Sequence, residues 1–168
     1  MQNDMDIRIK QLTPKDISFA EDLANIMIAA WRSGFRDILP AEIVEKYTQF
    51  DPCTQMFRMI LSSGEGRMYL AALGGNSVGL LYLVDEGETA RIEALLTVPE
   101  VWSRGIAAAL MKQALNDASS YQQITVWPFA QNHRARRFYE KHGFSPTGNR
   151  RMGDVEELEY LRTKASLV

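Results

Sequence analysis

The sequence predicts an α/β or α+β sandwich, with helices layered on a mixed sheet. Three observations carry that expectation. Short apolar runs of period two alternate with stretches of helical period along most of the chain. A hairpin signal, Gly74-Gly75-Asn76-Ser77, joins two β-rich runs. A strand-like run over residues 90–98 leads through a short turn into an alanine-rich helix opened by Gly105. The 168 residues suit one domain spanning 1–168, and 46% hydrophobic residues suffice for a core without disulfide staples.

Taken in order, residues 7–12 alternate and read as a strand. Thr13 is placed to cap a helix with Pro14 at its first position, and Leu23, Ile26, Met27 and Ala30 then recur at helical spacing. Residues 35–40 break that helix. Residues 42–47 and 54–61 read as two further short helices. Residues 68–73 and 78–84 are β-rich, and residues 85–88 make a turn. In the strand over residues 90–98, Ile92, Ala94, Leu96 and Val98 are expected on one face. Arg91, Glu93, Leu95 and Thr97 are expected on the other.

The helix after Gly105 is expected to bury Ala107, Met111, Ala114 and Ala118, flanked by Ile106, Leu110 and Leu115. Residues 124–127 read as a strand ended by Pro128. Asn132 can cap the next helix, which carries Ala135, Phe138, Tyr139 and His142 on one face. Gly143 ends it and Phe144 packs back onto it. Residues 156–161 supply the last strand. The expected order is strand, helices, three strands, helix, strand, helix, strand.

Composition narrows the function. Nineteen Lys and Arg against 21 Asp and Glu leave a net charge of −2, without the basic excess of a general nucleic-acid binder. Cys53 is the one cysteine, so neither an internal disulfide nor a thiol-based metal site is expected, and the chain reads as one of the reducing cytoplasm. The acidic start, residues 1–6, lacks the features of a signal segment, and apolar runs such as residues 26–31 are far too short to span a membrane.

The strand–turn–helix around Gly105 points to an anion site. First-turn N–H groups have no partner within a helix, and the helix dipole adds positive potential there. Glycine lets a phosphate approach the backbone closely. The candidate phosphate-binding residues are therefore Arg104, Gly105, Ile106, Ala107 and Ala108.

Two blocks carry a resemblance. Trp102-Ser103-Arg104-Gly105-Ile106-Ala107 resembles the acyl-CoA signature of GNAT N-acyltransferases, (Gln/Arg)-x-x-Gly-x-(Gly/Ala). Residues 132–144, from Asn132 through Phe138-Tyr139-Glu140-Lys141 to Gly143-Phe144, resemble that family's C-terminal block. With the strands between them, the likeness covers roughly residues 7–162. It implies a mixed, mostly antiparallel sheet splayed between the fourth and fifth strands, with helices on both faces. It implies acetyl-CoA as acyl donor, without a metal, and the primary amine of a small molecule or peptide as acceptor, with direct transfer between them. Homodimers are common in the family.

The resemblance also implies roles. The pantetheine arm would pair with backbone near Leu96, Thr97 and Val98, and the pyrophosphate would sit on residues 104–108. Asn132 would help hold the cofactor. Tyr139 would lie at the thioester sulfur as proton donor, and Glu93 is the candidate base. Trp31 and Phe35 would wall the acceptor pocket. Trp102 stands where the signature has Gln or Arg, and Arg104 in the same loop is the expected compensation. The alternative is a non-catalytic acyl-CoA-binding module of the same fold.

Overall fold

The computed structural model describes residues 6–164, so the start read as lacking a signal segment lies, but for Asp6, outside the described residues. The strands are β1 (Ile7–Leu12), β2 (Arg67–Leu73), β3 (Asn76–Glu86), β4 (Thr89–Thr97), β5 (Gln123–Val126), β6 (Ser145–Met152) and β7 (Glu156–Thr163). The helices are α1 (Ala20–Gly34), α2 (Ala41–Tyr47), α3 (Phe50–Ser63), α4 (Ile106–Asp117) and α5 (His133–Lys141). One sheet runs β1-β2-β3-β4-β5-β7-β6. Every neighbouring pair is antiparallel except β4–β5. Helices cover both faces. Ile106, Leu110 and Met111 of α4 and Tyr139 of α5 build one core, and Leu23, Ile26, Phe57 and Leu61 of α1 and α3 build the other.

Most elements fall where the patterning puts them. Leu73 pairs with Asn76, so Gly74 and Gly75 form a two-residue hairpin loop with positive φ at both positions. Three expectations need correction. Residues 145–152 form a strand that the sequence reading missed. It is exposed along its length at the sheet edge, so no face is buried and no apolar alternation marks it. α3 starts at Phe50, four residues before the expected Thr54. Pro52 sits in its first turn, where a missing N–H costs nothing.

The third correction concerns β4. Tyr82 pairs with Ala94 but Leu83 pairs with Ile92, so Glu93 is an extra, bulged residue. The bulge shifts the alternation by one. Ala90, Ile92 and Leu95 pack into the α4–α5 core, while Ala94 and Leu96 pack against the α1–α3 core. The single-face set expected from Ile92 through Leu96 is therefore split. Ala107 likewise is half-exposed rather than core, because Ile106 and Leu110 take the buried stripe.

The same strand sets up the site. β5 pairs with β4 only over Thr89–Ile92. Beyond Val126 the chain stays with β7: Leu158 N–H donates to the Pro128 carbonyl at 3.0 Å and Ala130 N–H to the Glu156 carbonyl at 2.9 Å. β4 meanwhile stays with β3 to Thr97. The two parallel strands part into a gap. At its end a short 3-10 turn, Pro99–Val101, leads to Ser103 at φ +66° and Gly105 at φ +83°, then into α4.

Gly79 on β3 holds α4 close to the sheet. A Cβ there would meet Ile106 Cγ2 at 3.0 Å, Leu110 Cδ1 at 3.1 Å and Thr97 Cγ2 at 3.2 Å. Gly79→Ala is expected to push α4 outward and cost about 1–3 kcal/mol, read by denaturant unfolding. Ser103→Gly is expected to act oppositely. It relieves a left-handed backbone at a non-glycine residue and should stabilise by about 0.5–1 kcal/mol in the same assay.

Candidate active site

The open edge of β4 follows from its register. Val98 N–H donates to the Val78 carbonyl at 2.9 Å, and Thr97 lies opposite Gly79. Hydrogen-bonded and non-bonded pairs alternate in an antiparallel ladder. Leu96 therefore spends its backbone groups on Leu80, and Leu95 and Thr97 turn theirs away from β3 into the gap. Of the three residues expected to line the donor arm, Thr97 turns its backbone to the gap, Leu96 lines the cleft although its backbone is paired with β3, and the Val98 N–H is taken. Leu95, which the sequence reading left out, faces it.

The N-terminus of α4 closes one end. The Arg104 N–H is used by the Val101 carbonyl at 3.2 Å, and Ala109 N–H makes the first helical bond, to Gly105. Between them, the N–H groups of Gly105, Ile106, Ala107 and Ala108 have no backbone acceptor among the described residues. A Cβ on Gly105 would meet nothing within 4 Å, so the space before these donors is open. Four of the five residues expected at the anion site thus present free N–H groups. Unpaired donors at the helix, and beside them a strand edge turned to the gap on which the Thr97 carbonyl accepts from the Trp102 indole, fit a phosphate ester followed by an extended amide arm.

The gap widens into a cleft of about 1000 Å³ that Trp31, Phe35, Glu93, Leu95, Thr97, Ala107, Asn132 and Tyr139 all line. α5 delivers the last two. Asn132 Oδ1 caps the helix by accepting from Ala135 N–H at 3.2 Å. At the other end Gly143 adopts φ +89°, and Phe144 N–H returns to the Tyr139 carbonyl at 3.0 Å. The Tyr139 ring is buried between Phe138 and Phe144, with centroids 5.6 and 5.7 Å away. Its hydroxyl has no hydrogen-bond partner among the described residues. Burial pushes its pKa well above the ordinary tyrosine value.

Glu93 projects from the bulge, half-exposed, with its carboxylate in an ion pair with Arg91. Arg91 Nε also lies 3.3 Å from Glu86 Oε1. The opposite wall holds a second such pair: Arg151 grips the Glu157 carboxylate at 2.9 Å and stacks over Trp127, 4.4 Å from its centroid. Trp31 and Phe35, expected on the acceptor wall, line this cleft and meet edge to face at 5.2 Å. They extend into a ladder that the reading missed, with Tyr47 at 5.5 Å from Trp31 and Phe129 at 5.0 Å from Phe35. Tyr47 and Phe129 come from α2 and from the segment after β5, and only the fold brings them together. Trp102 lies at the mouth, where its indole N–H donates to the Thr97 carbonyl at 3.2 Å. Among the described residues, no group of three or more His, Cys, Asp or Glu could hold a metal, and no helix is long and apolar enough to cross a membrane.

Comparison with known proteins places this arrangement. Residues 22–144 match the profile of the acetyltransferase (GNAT) family. An uncharacterized N-acetyltransferase of Mycobacterium tuberculosis is 25% identical over 150 residues, which cover 86% of this chain and 96% of that protein. The crystal structure of PaiA N-acetyltransferase from Thermoplasma acidophilum, in complex with coenzyme A, superposes with a TM-score of 0.80 at 18% identity, over 95% of this chain and 99% of that one. A variant of the spermidine N-acetyltransferase SpeG from Vibrio cholerae superposes at 0.68 with 19% identity, over 96% of both chains. The profile spans most of the chain and the fold is shared nearly end to end, so the protein belongs to the GNAT family of acetyltransferases and is an acyltransferase.

Proposed function

We propose that the protein transfers an acetyl group from acetyl-CoA to the primary amine of a small molecule or peptide, by direct attack of the amine on the thioester. The observation that carries this reading is the continuity of the site. The open edge of β4 leads from the unpaired N–H groups of α4 to the free hydroxyl of Tyr139 inside one cleft. The coenzyme A bound by the Thermoplasma acidophilum enzyme, and the amine acceptor in the name of the Vibrio cholerae one, support the same assignment.

Each residue then has a task. Gly105, Ile106, Ala107 and Ala108 receive the pyrophosphate on their N–H groups. Leu95, together with the N–H of Thr97, pairs with the amides of the donor arm and holds the thioester in line with the cleft. Asn132 fixes the start of α5 and hence the position of Tyr139. Trp31 and Phe35, with Tyr47 and Phe129, hold the body of the acceptor. An alkylamine has a pKa of about 10, so it arrives protonated and must lose a proton before it attacks. Glu93 is the carboxylate on the donor strand, and we assign it as the outlet for that proton. The amine nitrogen bonds to the thioester carbon, the carbon–sulfur bond then breaks, and the proton that the nitrogen sheds on becoming an amide restores the one that Tyr139 gives to the sulfur. Tyr139, kept protonated by burial, donates to the sulfur as charge builds there. One amine and one thioester become one amide and one thiol.

Calorimetric titration with acetyl-CoA, with ATP as control, is the first test. Saturable acetyl-CoA binding without ATP binding is expected, and a folded protein that binds no acetyl-CoA overturns the donor assignment. Gly105→Glu should abolish that binding with the fold retained, because it sets a carboxylate where the pyrophosphate lies. Tyr139→Phe should lower kcat about 100-fold while acetyl-CoA affinity holds. The sign of the Tyr139 shift extends the protonated range upward, so the parent's rate should show no alkaline loss from this phenol below about pH 10. An unchanged kcat in Tyr139→Phe removes the residue from the chemistry, and turnover itself separates an enzyme from a binding module.

A further inference from the structure

We propose that Arg134, stacked on Trp102 at the mouth of the cleft, is the cation that binds a phosphate of the donor. The proposal rests on the donor assignment above and adds a residue and a geometry to it. Three arginines line the cleft: Arg91, Arg134 and Arg151. Arg91 is paired with Glu86 and Glu93, and Arg151 with Glu157. Arg134 has no carboxylate partner among the described residues. Its guanidinium carbon instead lies 4.3 Å from the centroid of the Trp102 ring.

That stacking has a chemical consequence. A guanidinium laid on an aromatic face keeps its five N–H donors directed outward in its own plane, where a phosphate can take two of them. The indole beneath is itself anchored, through Nε1–H to the Thr97 carbonyl at 3.2 Å. Trp102 is therefore a platform tied to the end of β4, and it holds a flexible side chain from α5 in place. Trp102 precedes by three residues the first of the unpaired N–H groups, and Ala107 of that same turn lines the cleft beside it. A net positive, fork-shaped donor and a row of backbone donors thus share one mouth.

This also answers the missing polar residue at position 102. The expected compensation was Arg104. That side chain is exposed and lies off the cleft lining. The indole recruits its cation from a different element, across the gap.

The test is a set of titrations of the intact protein with acetyl-CoA and 3′-dephospho-acetyl-CoA and, by displacement, with pantetheine, which lacks phosphate. Arg134→Ala is expected to weaken acetyl-CoA binding at least tenfold and to leave pantetheine unchanged. Arg134→Lys should restore only part, because an ammonium cannot fork a phosphate. Trp102→Ala should reproduce the Arg134→Ala loss, and the double variant should lose little more. A loss that persists with the dephospho donor assigns the pyrophosphate, and a loss that vanishes there assigns the 3′-phosphate. Acetyl-CoA affinity unchanged in Arg134→Ala, or an equal loss for pantetheine, overturns the proposal. Arg134 is exposed, so Arg134→Ala is expected to keep the fold, which matched melting curves check. Failure of the parent protein to bind any of the three ligands is a different outcome, and it would sink the donor assignment together with this one.

Discussion

The parting of β4 from β5 is the constraint on which the rest of this molecule depends. Backbone N–H and C=O groups inside a protein need partners, and a sheet normally supplies them. Here the parallel ladder stops at Ile92 and Val126, although β4 runs on to Thr97. What keeps the gap open is that each strand has a stronger neighbour elsewhere. β4 remains bonded to β3, and the segment after β5 remains bonded to β7 through Pro128 and Ala130. The edge left between them is a binding surface with fixed spacing and direction, made of main chain.

Packing on both faces then brings side chains to that edge with little freedom. α4 can deliver its N-terminus to the end of β4 because Gly79 lets Ile106 and Leu110 lie almost on the sheet. α5 delivers Tyr139 because it is locked at both ends, by the Asn132 cap and by the Gly143–Phe144 return. On the far face α1 and α3 bury Leu23, Ile26, Phe57 and Leu61, which leaves Trp31 and Phe35, at the end of α1, to turn toward the cleft. Stability and site geometry are thus written in the same contacts. A residue that holds a helix on the sheet also sets where a reacting group stands.

Electrostatics divides the cleft into two kinds of ground. The inner part carries acids already matched with arginines, Glu93 with Arg91 and Glu157 with Arg151, beside aromatic rings. The mouth carries unmatched positive groups, the N–H row of α4 and the Arg134 guanidinium. A low-dielectric, ring-lined interior strengthens each interaction made there.

Sequence by itself determined the pieces that depend on neighbours along the chain. Helical spacing marked α1, α4 and α5, Gly74-Gly75 marked the hairpin, and Gly105 after an apolar strand marked the start of α4 with its unpaired N–H groups. Local signals also placed Asn132 as a cap and Gly143 as a helix end, because capping chemistry involves residues only a few positions apart. Tertiary structure alone decided what depends on partners distant in sequence. The bulge at Glu93 exists because β3 and β4 slip by one residue, and a slip leaves no mark on the alternation of one strand. It split the expected face, setting Leu95 with Ala90 and Ile92 and leaving Ala94 and Leu96 on the other side. β6 carries no apolar pattern because it buries nothing. Trp102 reads in the sequence as a lost polar group. Only the fold sets it between Thr97 and Arg134, because a pairing across a gap is a property of where three elements meet.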